Sequence, residues 1–533
     1  MHHLTLINLI NANNLLDIIY FKLYEGINMN NWMEGYSSDV EYTAQYYKEI
    51  TPNHLNFTAV LNGIEPIDVD GAFNYCELGC GQGVTVLVLA ALYPQGRFWG
   101  VDYNPSHIAK AKKLVKEAGL TNITFLESSF GDLVANKTIL PQVEFMVFHG
   151  IYTWVNGENR ANLVEICKEH VVSGGFVYNS YNAKPGWNDG EVLQKLIFEL
   201  SKESSGDSIK KMDAVVNRLK NIKNIKSGFF QQLSTKIDGL NIDEKNYLVH
   251  EYLHEDWKAF YFGEVSKDMA SAKLSYLAQA SPEESYMKTL LPNDIKEQLQ
   301  AIDSIESREL IIDLAINRGF RRDIYTKGVS GRLSKVQQTN WLLDKKWILV
   351  DPSTSNQIEF EFTLPLGKVK GDAKIYKNII KHLQSKVLTT KELMKLTSLD
   401  ITVMLQSLTM LYSASYIRFY EASTNNIVST LNKFFANNYL GDDSIKYIIA
   451  PYIKEVIYVN ATNSILLDGL YQGINESEKL VDYVYSRFKS HDIAIIDDNQ
   501  NPLQGNELKK SISQSENILR EELLEFWKKI GIV

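Results

Sequence analysis

Tyr75-Cys76-Glu77-Leu78-Gly79-Cys80-Gly81-Gln82-Gly83, followed by Arg97-Phe98-Trp99-Gly100-Val101-Asp102, is a strand, a glycine loop and a second strand that ends on an acid. Between them an apolar helix is expected over residues 84–93. This strand–helix–strand order is a βαβ unit, which places a ligand at the carboxyl ends of its strands. Glycines lack a Cβ and let the backbone approach a bound molecule closely. Asp102, at the tip of the second strand, can accept both hydroxyls of a ribose.

The glycine spacing discriminates between nucleotide-like ligands. The dinucleotide fingerprint G-x-G-x-x-G fails here, because Val84 stands at its third glycine position. The pattern is instead acid-x-G-x-G-x-G, with Glu77 two residues before Gly79. It resembles motif I of the class I S-adenosylmethionine (SAM) methyltransferases. That resemblance implies that Glu77, Gly79, Cys80, Gly81 and Asp102 hold SAM, helped by Tyr103, Ser129, Phe130 and His149. Many such enzymes place an acid after the third strand to meet the adenine amine. Here Ser129 occupies that place, with Asp132 three residues on.

The rhythm continues downstream. A helix over 105–118 begins on Pro105 and ends at Gly119, both favourable ends. Strands follow at 123–126 and 144–148, then a helix at 160–172 and a strand at 175–180. Strand-like segments return at 273–277 and 320–325 and complete a seven-stranded Rossmann-like α/β sheet. Residues 188–255 read as helices inserted into this domain. Val192, Leu196, Ile197 and Leu200 are expected on one apolar face, as are Met212, Val215, Val216 and Leu219. Lysines 210, 211, 220, 223 and 226 read as a solvated face.

The remaining chain divides into a middle module and a helical end. Short strands at 347–350 and 358–362, helices near 373–383, 390–397 and 400–411, and a strand at 416–420 suggest a winged-helix-like α/β module. Its would-be recognition helix, 400–411, contains no Lys or Arg, so it lacks phosphate-neutralising charge. Residues 424–432 read as a polar linker, and the end as helices closing on an amphipathic run, 518–530. The layout is thus an extension (1–35), a SAM-binding core (36–187) completed by 256–330, the insertion 188–255, the middle module 331–432 and a helical domain 433–533.

Bulk properties set outer limits. With 533 residues the chain can form two to four domains, each with its own core. A net charge of −9 argues against a broad nucleic-acid or anionic-membrane footprint. Three cysteines cannot make a disulfide framework, and Cys76 and Cys80 have no Cys/His neighbours to complete a metal site, so no metal is expected. A reducing cytoplasm fits. Residues 4–23 are mostly apolar but broken by Asn8, Asn11, Asn13, Asn14 and Asp17, a poor signal or membrane span. Met29 and Met33 lie just downstream, so Met1, Met29 and Met33 are all candidate start codons and part of this stretch is a candidate for over-extended translation.

Further segments resemble one family, the bacterial methyltransferases with a methyltransferase regulatory domain. They are His149-Gly150-Ile151-Tyr152-Thr153-Trp154-Val155, Tyr181-Asn182-Ala183-Lys184-Pro185-Gly186-Trp187, His250-Glu251-Tyr252-Leu253, Tyr276-Leu277-Ala278-Gln279-Ala280 and Asn317-Arg318-Gly319-Phe320-Arg321. Ala183-Lys184 departs from the family's Tyr-Pro. Length and layout resemble the rickettsial protein-lysine methyltransferases that modify outer-membrane protein B. The resemblance implies SAM as methyl donor, S-adenosylhomocysteine as product, a lysine of a bacterial surface protein as acceptor, a homodimer, and neither nucleic acid nor membrane insertion. A free lysine at neutral pH opposes transfer by about 4 kcal/mol, the cost of losing its proton. An apolar aromatic channel beside a cation lowers that cost. Tyr152, Trp154, Tyr181 and Trp187, with Asn182 and His149, are the candidates for that channel. A methyltransferase for a small molecule or RNA, and a SAM-binding scaffold without turnover, remain alternatives at this level.

Overall fold

The computed structural model describes residues 39–40, 45–242, 244–328, 331–350, 359–422, 426–438, 446–491, 494–495 and 501–533. The extension expected over 1–35 lies outside them. Seven strands form one sheet: β1 (Asn74–Leu78), β2 (Arg97–Asp102), β3 (Ile123–Glu127), β4 (Val143–Phe148), β5 (Val171–Asn182), β6 (Leu274–Gln279) and β7 (Phe320–Lys327). Their spatial order is β3-β2-β1-β4-β5-β7-β6. The first five pair in parallel, whereas β7 runs antiparallel to both β5 and β6. The order reverses beside β1, between β2 and β4, so the crevice for a ligand opens at the carboxyl ends of β1 and β4.

The helix expected over 105–118 is found as Pro105–Ala118, capped by Asn104 and ended by left-handed Gly119. That expected over 160–172 is shifted to Gly157–His170, because β5 begins at Val171 and is twelve residues long. In the helix Val84–Leu92 every residue is buried. A helix without a polar face needs cover on all sides. The sheet covers one side, through Tyr75, Phe98 and Phe145, and part of the remaining cover comes from far along the chain. The stretch read as a polar linker, 424–432, is in its described part the start of the helix Asn426–Asn438. Val428, Leu431 and Phe435 of that helix join the sheet's own core, together with Ile449.

The chain forms two compact units. One comprises Val192–Trp257, Trp154–Asn156 and residues near 40, and is helical: Ser208–Ile222, Phe230–Asp238 and Lys245–Tyr252, with most of Asn188–Lys202. Met212, Val215 and Leu219 are buried on one face as expected, but Val192 is exposed. The other unit holds the sheet and all later residues. Its middle part pairs β8 (Lys346–Leu349) with two further antiparallel strands, β11 (Leu388–Thr389) and β12 (Ile417–Phe419), while β9 (Glu361–Leu364) and β10 (Gly367–Lys370) make a hairpin. Residue 358, expected to start a strand, lies outside the described residues. The helices are Ala373–Ser385, Thr390–Thr397 and Ile401–Ser413, and the last buries Met404, Leu408, Met410 and Leu411.

The C-terminal part is helical apart from a hairpin, β13 (Tyr447–Ala450) and β14 (Glu455–Tyr458). Among the described residues no helix is long and apolar enough to cross a membrane, and no group of three or more His, Cys, Asp or Glu is placed to hold a metal.

Candidate active site

The glycine loop is built by alternation. Gly79, Gly81 and Gly83 adopt φ of +71°, +54° and +73°, the left-handed region that favours glycine. The backbone N–H groups of Gly79 and Cys80 donate to the Val101 carbonyl (2.7 and 2.9 Å), tying the loop to β2. A Cβ on Gly79 would lie 2.3 Å from Ile151 Cδ1, and one on Gly83 would lie 2.3 Å from Phe125 Cε1. Gly81 alone of the three faces open space. Two of these glycines therefore admit protein neighbours, and the middle one faces the crevice. Burial raises the pKa of the Cys80 thiol well above its usual value, so Cys80 serves the loop through its backbone.

Two carboxylates stand at the adjoining strand tips. Asp102 Oδ2 accepts from Gly81 N–H (2.8 Å), and Oδ1 accepts from Asn104 N–H (2.9 Å) beside His107 Nδ1 (3.4 Å). Each carboxylate oxygen carries two lone pairs, so Oδ2 keeps acceptor capacity for a ligand hydroxyl. Glu77 is buried, and its Oε2 has no hydrogen-bond partner. Burial, with the Asp102 charge as the second cause, pushes the Glu77 pKa up to about 8. An orphaned buried acceptor of this kind costs about 1–3 kcal/mol until something donates to it. After β3, Ser129 caps the helix Phe130–Ala135. Its hydroxyl and the Asp132 carboxylate hydrogen-bond each other (2.8 Å), and Phe130 begins the helix.

The loops after β4 and β5 bring together most of the other expected residues. His149 Nδ1 meets the hydroxyls of Tyr178 (2.9 Å) and Ser180 (3.3 Å), and burial pushes its pKa down to about 4. Tyr152 and Tyr181 are fully buried and pack with each other and with Phe260. Their hydroxyls donate to Asp268 (2.7 Å) and Asp323 (2.6 Å), which raises both phenol pKa values beyond what burial alone does. Asn182 donates its backbone N–H to Thr153 Oγ1 (2.8 Å). Trp187 packs on Gly190 and Gly319, where a Cβ on Gly190 would lie 2.4 Å from the indole. Trp154 falls in the helical unit, against the rings of His250 and His254.

A "methyltransferase domain" model matches residues 70–227, and a "predicted methyltransferase regulatory domain" model matches residues 244–327. The Synechocystis protein sll1526 is 31% identical over 450 residues, which cover 82% of this chain and 87% of that one. The chain belongs to the methyltransferases that carry a regulatory domain. RP789 of Rickettsia prowazekii is 29% identical over 286 residues, 53% of this chain and 51% of its own. The methyltransferase also shares its fold with PKMT2 from Rickettsia typhi, solved in complex with AdoHcy. That likeness has a TM-score of 0.68 at 20% identity and covers 92% of this chain and 99% of the other.

The methyltransferase uses SAM as cofactor, and the strand tips suit it. The unsatisfied Glu77 oxygen fits a cationic or donating group, Oδ2 of Asp102 fits a ribose hydroxyl, and Gly81 leaves room at the crevice. Sequence reading missed four supporting residues. His107, five positions after Asp102 on the buried face of Pro105–Ala118, carried a usable signal. Asp268, Asp323 and Tyr47 carried none, because only the folded chain brings them to the strand tips.

Proposed function

We propose that this protein is a protein-lysine N-methyltransferase acting on a bacterial surface or outer-membrane protein. The observation that carries the reading is the aromatic cluster at the tip of β4, where the His149 ring packs with those of Tyr178 and Phe320. Desolvation there disfavours positive charge, and it pushes the His149 pKa down to about 4. The same desolvation would strip the proton from a lysine amine delivered there. Tyr152, Tyr181 and Phe260 form a buried aromatic layer that backs the loop after β4 and the end of β5. The shared fold with PKMT2 along 92% of the chain supports a common architecture for the accessory parts as well.

Glu77, Gly81 and Asp102 would hold the cofactor, with Tyr103, Ser129 and Phe130 towards its base. When bound, SAM supplies an activated methyl group. The chain's own residues exclude water, orient the amine and keep its lone pair free. Asn182 would orient it, and Tyr152 and Tyr181 are held in position by their bonds to Asp268 and Asp323. Trp187 completes the proposed wall. No general base is required if the amine arrives deprotonated.

Mass spectrometry after incubating the protein with SAM and a lysine-rich fragment of an outer-membrane protein tests this reading. Mass steps of about 14 Da localised to lysines are expected; label found only on small amines or RNA contradicts it. We also assign a homodimer, supported by five exposed large apolar side chains within 225–247: Ile225, Phe229, Phe230, Ile242 and Tyr247.

A further inference from the structure

We propose that Tyr47, outside every motif above, is a positioning residue of the methyl-transfer site, acting by covering the His149 ring and keeping it from water. The inference rests on the methyltransferase assignment and is independent of which acceptor is used.

The geometry places Tyr47 between the loop after β4 and the helix that follows the glycine loop. Its ring lies 4.1 Å from that of His149, tilted by 30°. Tyr178 stacks with His149 at 5.8 Å and 18°, and Phe320 meets it edge-on at 6.1 Å. The Tyr47 backbone N–H donates to Thr85 Oγ1 (3.2 Å), and that hydroxyl donates to the Gln45 carbonyl (3.3 Å). Thr85 is the second residue of the helix that leaves the glycine loop. Farther along, Tyr75 Oη, on β1, donates to the Ile50 carbonyl (3.1 Å). Residues 45–50 are therefore a strap fastened to β1 and to the glycine-loop helix, and its aromatic ring reaches the loop after β4.

Removing the ring would open one face of His149. The charged and titratable groups around that imidazole are Glu49 on the strap, Arg322 on β7, and the hydroxyls of Tyr178 and Ser180 on β5. Glu49 favours the imidazolium and Arg322 opposes it, so desolvation decides the outcome. Without Tyr47 the ring gains water and its pKa should move upward towards the ordinary histidine value of about 6.5. A charged imidazolium at the tip of β4 would then repel both a cationic cofactor and a cationic acceptor.

The test uses the full-length protein with histidine labelled at Cε1, the His149 resonance being assigned from its loss in His149→Gln. Titration by NMR is compared for the native protein, Tyr47→Phe, Tyr47→Leu and Tyr47→Ala. The proposal expects His149 to titrate near pH 4 in the native protein and in Tyr47→Phe, and at least one pH unit higher in Tyr47→Ala. The same Ala variant should lose at least tenfold in kcat at pH 6, with the Phe variant within about threefold of native. If Ala fails to fold, Leu replaces it: its shorter side chain supports the strap but leaves the outer part of the imidazole face uncovered. An unmoved His149 in the Ala or Leu variant overturns the proposal, and so does equal damage from Phe and Ala. Failure to methylate lysine would remove the proposed acceptor while leaving this titration, and the role of Tyr47 that it measures, unaffected.

Discussion

At the residue scale, titration divides the site into groups of opposite sign. Burial holds the pKa values of His54 and His149 down to about 4. A histidine with a folded pKa below its unfolded one leaves the unfolded chain to bind protons first. Stability from these two is complete above about pH 6.5 and is lost as pH falls towards 4. Glu77 behaves oppositely: its folded pKa of about 8 exceeds the unfolded value, so its contribution is complete below about pH 4.5 and is lost as pH rises through 8. Between pH 4.5 and 6.5 two groups oppose one, so these three together make the protein more stable as pH rises. Thermal melting from pH 7 to 5 should show Tm falling, and His54→Gln should flatten the slope. Glu77 makes a second prediction. A donor on its free oxygen would drive its pKa down, so SAM binding at pH 6–7.5 should release a proton. Calorimetry in two buffers of different ionisation enthalpy reads this release directly, and Glu77→Gln should abolish it.

At the scale of elements, the glycine loop separates conformation from space. Gly83→Ala would put a Cβ 2.3 Å from the Phe125 ring, and Gly81→Ala would meet nothing within 4 Å. Both carry the left-handed strain of about 1–2 kcal/mol. Denaturant unfolding should therefore show Gly83→Ala as the more destabilised, whereas Gly81→Ala should lose SAM affinity more than stability. The second element to test is β7. Arg321 is fully buried, held by Asp323 (2.9 Å), Asp313 (2.6 Å) and Glu309 (2.9 Å) beneath the Phe262 ring, and Asp323 in turn holds Tyr181. Arg321→Met would leave Asp323 buried with its hydroxyl and amide donors but without the cation that neutralises it, a loss of about 3–5 kcal/mol, visible as a large drop in Tm.

These elements also mark where the sequence was legible. The strand rhythm from Tyr75 to Ser180 announced β1 to β5, because each strand is an apolar run ending at a turn, and Gly79 and Gly83 sit where a close approach demands them. Glu77 and Asp102 stand out in the sequence because motif spacing is local. The Tyr47 ring and the Asp323 carboxylate were not, since each acts on a loop about a hundred residues away or more. Trp154 looked continuous with Tyr152 in sequence, yet the chain crosses into the helical unit between them.

At the scale of the molecule, the catalytic sheet borrows cover from the end of the chain. Ile427, Val428 and Leu431 have helical spacing, but Asn and Ser around them disguised a core helix as a linker. Truncation after residue 422 should strip Val84–Leu92 of part of its outer packing. The product is expected to aggregate or bind a hydrophobic dye, and a soluble fragment with native circular dichroism and SAM affinity would contradict that dependence. Light scattering on the intact protein checks the dimer, for which a mass near twice 60.8 kDa is expected. The central claim is that Asp102 and Glu77 grip the methyl donor across the tips of β2 and β1. Calorimetric titration of SAM into native protein and Asp102→Ala tests it most directly. At least a tenfold loss of affinity in a variant that still melts cooperatively is the predicted result, and equal affinity in the two proteins would contradict the account.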